Sequence, residues 1–209
     1  MVKILLLVGA ALVGYLVASL NPAIILSRAI YHKDIRECRS GNPGFTNFKR
    51  SFGGKWAWWV LVLDLSKAAL VVWLFSFFLA GNGVDRQLAA AYTGAFCLLG
   101  HAYPFLYGFR GGKGFLVCLS TLYVIDPLVG LIATGVMCLL LLTTHYMSLS
   151  TVTALLLATP VLYLLGASLW STLAYLVLAL FVAIRHHANI KRLLSGTESK
   201  FYFGKKKEQ

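Results

Sequence analysis

The sequence predicts an all-α polytopic membrane protein with seven transmembrane helices, the N-terminus outside and the C-terminus in the cytoplasm. Of its 209 residues, 59% are hydrophobic and only 12% are charged, whereas soluble domains are roughly 45–50% apolar. Several apolar stretches reach about 20 residues, the length that crosses a bilayer as a helix. The 19 lysines and arginines cluster between particular stretches, and this clustering predicts the orientation. No polar insertion is long enough to fold alone, so residues 1–209 are expected to form one domain.

The apolar stretches define the expected helices in order. Five of them each predict one span, at about 4–30, 56–80, 88–107, 148–165 and 168–185. The first is too long for a signal-peptide core of roughly 7–15 residues, so it is kept as a span. The stretch 115–142 is interrupted by Asp126-Pro127. Because proline lacks a backbone N–H and disfavours helix at the residue before it, this stretch is one kinked helix or two short ones.

The positive charges favour two short helices, and hence seven spans. With seven spans and an outer N-terminus, 16 of the 19 lysines and arginines fall in the inner segments 28–55, 108–114, 143–147 and 185–209. With six spans, the first loop and the tail would lie on opposite sides and divide the charge. Cytoplasmic segments carry the excess of Lys and Arg, so seven spans fit better.

The charge and the missing motifs exclude several functions. A net charge of +12 would suggest nucleic acid in a soluble protein, but here the cations flank apolar segments. Membrane lipid or small anionic substrates are therefore the expected partners, without nucleic acid. The chain lacks H-E-x-x-H and G-x-S-x-G, and its seven acidic residues are not grouped to hold Mg²⁺. No metal or other cofactor is expected.

The polar segments of greatest interest all fall on the predicted inner face. They are "SGNPGFTNFKR" (40–50), "GHAYPFLYGFRGGKG" (100–114), "HYMSLST" (145–151) and "RHHANIKRLLSGTESK" (185–200). Each contains hydroxyl, amide, His or cationic groups. Four such segments on one face predict a single shared site at the boundary between membrane and cytosol.

The first two segments have the chemistry of anion binding. Gly41 and Gly44 can take positive φ, so that successive backbone N–H groups point into one concavity that binds anions. Neutral donors and charge come from Ser40, Asn42, Thr46, Asn47, Lys49 and Arg50. In the second segment Lys113 is surrounded by glycines that allow close backbone approach, namely Gly111, Gly112 and Gly114. The alternative is a flexible inner loop whose lysines only help to keep it on the cytoplasmic side of the membrane.

The tail and the second span carry further polar residues with two interpretations each. His186 and Asn189 share a helix face if the last span continues, although a basic interfacial helix that binds anionic lipid also explains this segment. Asp64 and Lys67 lie within the second span, where charges are costly and usually pair. They support the site, relay protons in a transporter, or form a buried structural pair.

In order and spacing, these segments resemble the bacterial integral-membrane acyl-phosphate:glycerol-3-phosphate acyltransferase family. The similarity covers nearly the whole chain and rests on "SGNPGFTN", "DLSK", "GHAYP" with "FRGGKG", "SLST" and "RHHANIKRLLSG". The resemblance implies a seven-helix bundle in the bacterial inner membrane with its site facing the cytosol. It also implies the first acylation of phospholipid synthesis, from acyl phosphate to the 1-hydroxyl of glycerol 3-phosphate. The products are lysophosphatidic acid and phosphate.

The resemblance also implies residue roles. A phosphate would be held by Ser40, Gly41, Asn42, Thr46, Asn47 and Arg50. Lys113 would neutralise charge on the leaving phosphate, while Ser148, His186 and Asn189 would position glycerol 3-phosphate. Either His186 or a substrate phosphate would accept the proton.

Some residues depart from the family pattern. Arg39 and Ala68 stand where glycine is usual, and Phe115 stands where a small residue is common. Arg39 and Phe115 adjoin the predicted phosphate loops, so a different donor or acceptor stays open. A transporter of organic phosphates or other anions, and a non-catalytic lipid-binding homologue, are the alternatives.

Overall fold

A computed structural model describes residues 1–202, and within them the chain is helical, with two short 3-10 turns and no strand. The helices are α1 (Val2–Ser19), α2 (Pro22–Tyr31), α3 (Phe45–Phe52), α4 (Trp56–Ala80), α5 (Arg86–Ala102), α6 (Phe115–Ile125), α7 (Pro127–Thr144), α8 (Met147–Leu164), α9 (Leu169–Arg185) and α10 (His187–Leu194). The all-helical class is therefore confirmed. Lys205, Lys206 and Lys207, which contribute to the predicted inner charge, lie outside the described residues.

The first apolar stretch contains a break that divides α1 from α2. The side chain of Asn21 accepts a hydrogen bond from the backbone N–H of Ile24 at 3.1 Å, and so caps α2. Lys67 Nζ donates to the carbonyl oxygens of Ala18 and Leu20 at 3.0 and 2.8 Å. These carbonyls end α1 without a helical partner, so a lysine from α4 satisfies the break.

The predicted division of 115–142 is confirmed. Asp126 separates α6 from α7, and its carboxylate accepts hydrogen bonds from the N–H groups of Leu128 and Val129 at 2.9 and 3.0 Å. At 1.5 Å per residue, α6 is only about 16 Å long, against about 30 Å for the hydrocarbon core. The third stretch is also shorter than predicted, because α5 ends at Ala102, just before Tyr103-Pro104.

Length and composition alone support fewer spans than the seven predicted. Within residues 1–202, four helical segments are long and apolar enough to cross a membrane, namely Val2–Tyr31, Trp56–Ala80, Pro127–Thr144 and Met147–Leu164. The bent pair α9 and α10 would make a fifth. The difference arises because α5 has 17 residues and α6 has 11.

The polar segments are positioned by the packing of the central helices and by an apolar cluster near the C-terminal segment. α6 lies between α4 and α7, while α5 packs on α1, α4 and α9. A second apolar cluster, which includes Ile24, Phe48, Val60 and Phe201, joins α2, α3 and the start of α4 to the C-terminal segment. The backbone N–H of Phe201 also donates to the carbonyl of His145 at 2.7 Å. As a result, all four polar segments meet at one end of the bundle.

Candidate active site

A cavity of about 660 Å³ opens where the polar segments meet. Most of the predicted site residues line it: Ser40, Asn42, Gly44, Thr46, Asn47, Arg50, Lys113, Gly114, Ser148, His186 and Asn189. Three other predicted residues, Gly41, Gly111 and Gly112, do not line the cavity as residues 1–202 form it. The prediction that the four segments converge is therefore supported by the fold.

The polar end of the cavity is organised around Glu198, which the sequence analysis did not single out. Its Oε1 accepts hydrogen bonds from Ser148 Oγ at 2.8 Å and from Asn189 Nδ2 at 2.6 Å. Its Oε2 accepts from Arg192 Nε at 2.7 Å. The amide oxygen of Asn189 in turn accepts from the ammonium group of Lys113. The carboxylate thus joins α8 to α10 and, through Asn189, to the loop that carries Lys113. Glu198 is the lone acid in the basic segment 185–200, and this was the signal available in the sequence.

Burial and charge adjust the ionisation of this network. Burial, followed by the neighbouring arginines, lowers the pKa of Lys113 to about 8, although Glu198 opposes the shift. Burial alone would raise the pKa of Glu198, but the hydrogen bonds from Asn189, Ser148 and Arg192 outweigh it and the pKa is lowered. Lys113 is therefore a cation at neutral pH, and it loses its proton when the pH rises slightly above neutral.

The last predicted span does not continue straight through the tail. The chain bends by 60° between α9 and α10, with His186 at the bend, so the condition under which His186 and Asn189 would share a face of one continuous helix is not met. His186 Nδ1 lies 2.8 Å from the carbonyl oxygen of Val182, an arrangement in which Nδ1 carries the proton and Nε2 is an acceptor. Burial lowers the pKa of His186 to about 4. His186 is consequently neutral at pH 7.

The first polar segment is held by Asn47. Its Nδ2 donates to the carbonyls of Ile35 and Cys38 at 3.2 and 3.0 Å, and its Oδ1 accepts from the N–H of Ser40 at 3.3 Å. Asn47 thus shapes the loop from within. No side chain caps α3, whose first turn lines the cavity, and uncapped helix N-termini attract anions.

Backbone conformation in this loop agrees with the prediction at one glycine and disagrees at the other. Gly41 has a φ of +68°, as expected. Gly44 has a φ of −156°, so the positive φ expected there is wrong, because the residue that precedes a helix is normally extended. Arg39 has a φ of +48°, a region that favours glycine, which is the residue that the resemblance implies at this position.

The glycine loop before Lys113 rests on a buried polar cluster. A Cβ at Gly112 would collide with the imidazole of His101, and one at Gly111 with the carbonyl oxygen of His101. His101 Nδ1 lies 3.5 Å from Asp64 Oδ1, which pairs with Lys67 Nζ at 2.8 Å. Arg185 Nη2 donates to the carbonyl of Gly112 at 3.0 Å.

This arrangement explains two predicted features. The expected pairing of Asp64 with Lys67 is confirmed by their contact, and the pair supports His101 beneath the loop. Gly111 and Gly112 allow the backbone to pack against His101, which is a different use from the close approach to substrate that was predicted.

The rest of the cavity is mostly apolar. Three helices each present one stripe to it, with Leu61 and Leu65 from α4, Leu116 and Leu119 from α6, and Met137 and Leu141 from α7. At the polar end stand the cations Arg50, Lys113 and Arg192 with the carboxylate of Glu198. A second carboxylate of the lining, Asp64, is paired with Lys67 Nζ at 2.8 Å. A single cavity therefore offers a cationic end and a long apolar groove.

Comparison with known proteins gives a consistent result. The family model described as "Glycerol-3-phosphate acyltransferase" matches residues 8–196. The chain is similar to the glycerol-3-phosphate acyltransferase of Rhizobium etli, at 36% identity over 92% of this chain and 90% of that protein. It is also similar to that of Halalkalibacterium halodurans, at 36% identity over 98% of this chain and 97% of the relative.

Two solved structures share the architecture. Both are crystal structures of PlsY (YgiH), an integral membrane glycerol 3-phosphate acyltransferase. The glycerol 3-phosphate form matches with a TM-score of 0.85 at 29% identity, covering 97% of this chain and 96% of that one. The lysophosphatidic acid form matches with a TM-score of 0.82 at 28% identity, over 94% and 96% of the two chains.

Proposed function

The chain belongs to the glycerol-3-phosphate acyltransferase family, and we propose that it acylates glycerol 3-phosphate from an acyl phosphate at the cytoplasmic face of the membrane. It is an integral membrane acyltransferase, as its relatives and apolar helices indicate. The relatives and the solved structures are named as acyltransferases and give no support to the transporter interpretation.

The observation that carries the proposal is that one cavity contains both a cationic end and an apolar groove. Asp64, which also lines the cavity, is neutralised by Lys67, so Arg50, Lys113 and Arg192 exceed Glu198 by two charges. This excess of positive charge suits a phosphate group. The apolar groove between α4, α6 and α7 suits an acyl chain. A substrate with both parts, such as an acyl phosphate, fits this combination, and the acceptor contributes a second phosphate.

The proposed reaction needs no protein nucleophile, since an acyl phosphate is already activated. The 1-hydroxyl oxygen of glycerol 3-phosphate attacks the acyl carbon, and the new C–O bond forms as the bond to phosphate breaks. The phosphate leaves with the electron pair, and the hydroxyl proton passes to Nε2 of His186 or to a phosphate oxygen. Holding the two substrates together and stabilising the leaving charge supply most of the rate enhancement.

The side chains that line the cavity have distinct proposed roles. Lys113 neutralises the leaving phosphate, while Ser148, His186 and Asn189 position glycerol 3-phosphate. The phosphate-holding group comprises Ser40, Asn42, Thr46 and Arg50, with the first-turn N–H groups of α3. Asn47, predicted as a member of this group, donates both of its amide protons to the carbonyls of Ile35 and Cys38 and so supports the loop. Gly41, Gly111 and Gly112 shape the backbone of the two loops.

We further propose the seven-span topology, with one domain in the bacterial inner membrane and the site facing the cytoplasm. Seven spans result when α5 and α6 each count as a short span, α1 and α2 form one span, and α10 is counted with α9.

Single cysteines test the topology in a background that lacks Cys38, Cys97, Cys118 and Cys138. A membrane-impermeant maleimide should label Gly166→Cys in intact cells and should label Thr197→Cys only after permeabilisation. Labelling of Thr197→Cys in intact cells would reject the orientation.

The activity is tested with purified protein in nanodiscs, given palmitoyl phosphate and labelled glycerol 3-phosphate. We expect labelled lysophosphatidic acid from the wild type and a much lower yield from Lys113→Ala. Tight binding of both ligands without product would instead indicate the non-catalytic homologue.

A further inference from the structure

Tyr123 of α6 and Thr134 of α7 form a hydrogen-bonded pair among the residues that line the cavity. Both residues line the cavity, and Tyr123 Oη lies 2.8 Å from Thr134 Oγ1. Thr134 Oγ1 donates its own proton to the carbonyl of Gly130 at 2.9 Å, so the tyrosine hydroxyl is the donor in the pair. The aromatic ring is thereby fixed in position at the junction of the two helices.

Gly130 gives the ring its place against α7. A Cβ at Gly130 would approach the ring atoms of Tyr123 to 2.8 Å, which is closer than real Cβ contacts allow. The ring therefore packs on the backbone of α7, one turn before Thr134. These contacts fix the ring from two directions at the end of the groove.

The helix register places the pair at the end farthest from Lys113. α6 starts beside Gly114 and runs away from the polar end, and α7 returns towards it. Leu116 and Leu141 consequently lie near the polar end, while Tyr123 and Thr134 are the lining residues of α6 and α7 that lie farthest from it. From Gly114 to Tyr123 the helix rises about 13 Å. An extended chain advances about 1.1–1.2 Å per bond, since three backbone bonds span 3.3–3.6 Å, so the groove holds about eleven or twelve bonds.

We propose that the Tyr123–Thr134 pair closes the acyl groove and determines which acyl-chain length is used best. This inference rests on the proposed acyl-phosphate reaction. Measured against the donor dissolved in water, each methylene up to the pair passes from water into the fitted groove. Methylenes beyond the pair must turn past the ring. Each fitted methylene contributes about fourfold to kcat/KM by the usual transfer free energy, and each one beyond the pair contributes little.

The test is a chain-length series of acyl phosphates with 10, 12, 14 and 16 carbons, compared at equal free concentration in water with the enzyme held in nanodiscs. For the wild type we expect kcat/KM to rise to about 12 carbons and then level off, by the groove length given above. Tyr123→Ala should move the plateau to longer chains and raise the ratio of the 16-carbon to the 12-carbon donor about tenfold or more. Tyr163→Ala on the exposed face of α8 is the matched control and should keep the wild-type profile.

Two further variants keep the test decisive if Tyr123→Ala does not fold. Gly130→Ala displaces the ring from α7 and should move the plateau to shorter chains. Tyr123→Phe keeps the ring but loses its hydrogen bond, and should give a smaller shift in the direction of Tyr123→Ala. Identical profiles for the wild type and the folded variants would overturn the inference.

A bilayer lipid that occupies the same end of the groove would also affect the chain-length preference. A second assay separates an effect of the lipid from an effect of Tyr123. The series is repeated in nanodiscs whose phosphatidylcholine has shorter or longer chains. A plateau that follows the lipid length instead of the Tyr123 variant would overturn the inference. Failure to form lysophosphatidic acid from every donor would contradict the proposed function itself, which is a different result from an unchanged profile.

Discussion

The amide oxygen of Asn189 accepts a hydrogen bond from the ammonium group of Lys113. Lys113 follows the glycine loop after α5, and Asn189 lies on α10, 76 residues later. The contact joins the residue proposed to stabilise the leaving phosphate to a residue proposed to position the acceptor. Both substrates would therefore be oriented by one connected set of side chains.

Replacing Lys113 by alanine should lower kcat by about 10²-fold or more, the usual effect of removing a group that stabilises developing charge. Steady-state kinetics of the folded variant check this. Lys191→Ala, an exposed cation on α10, is the control and should retain near wild-type rates. A folded Lys113→Ala enzyme with wild-type kcat would remove the lysine from the mechanism.

The pH profile should reflect the lowered pKa of Lys113. Its pKa is about 8 instead of 10.5, so the side chain is charged below pH 8 and neutral above it. If the charge is required, kcat/KM should fall as pH rises through about 8. Lys113→Arg, which stays charged, should move this decline to higher pH. A profile that stays flat to pH 9.5 would argue against a role for the charge.

His186 should act chiefly by positioning, so His186→Asn should raise KM more than it lowers kcat. Its pKa of about 4 means that it is neutral from pH 5 to 7, and its titration should produce no decline in activity across that range. If His186 were the base, the ordinary pKa of histidine would place a fall in activity near pH 6–7, on the acidic side of the profile. A loss of 10²–10⁴ in kcat for His186→Asn would identify a general base.

Gly112→Ala should impair turnover by displacing the loop that carries Lys113, because the added Cβ collides with the imidazole of His101. We expect kcat to fall at least tenfold, since small misplacements of catalytic groups are costly. Gly135→Ala has open space around its Cβ and is the matched control. A Gly112→Ala enzyme with unchanged kcat would show that the loop tolerates the displacement.

Glu198→Gln should weaken the whole polar end, because the amide replaces one carboxylate oxygen with a donor that faces Ser148, Asn189 or Arg192. Charge-assisted hydrogen bonds contribute about 1.5–3 kcal/mol each, and thermal unfolding should show a lower Tm. The pKa of Glu198 is lowered, so its contribution is present above the unfolded value of 4.5 and is lost as pH falls below it. An unchanged Tm at pH 7 would contradict the role of Glu198.

The sequence predicted the elements better than their geometry. Apolar length and the Asp126-Pro127 break are local signals, and they left one kinked helix or two short ones for 115–142. The distribution of positive charge then predicted the two helices α6 and α7. The bend at His186 and the break after Leu20 depend on tertiary partners, such as the Lys67 ammonium that satisfies the end of α1. Glu198 was missed for the same reason, since its partners Ser148 and Asn189 come from two other turns of the chain.

The most direct measurement compares donors for the same purified protein in nanodiscs. Initial rates of lysophosphatidic acid formation from glycerol 3-phosphate are recorded with palmitoyl phosphate and with palmitoyl thioester at equal concentration. We expect product from palmitoyl phosphate, with one inorganic phosphate released per acyl group transferred, and far slower reaction with the thioester. Product formed only from the thioester, or none from palmitoyl phosphate, would contradict the account.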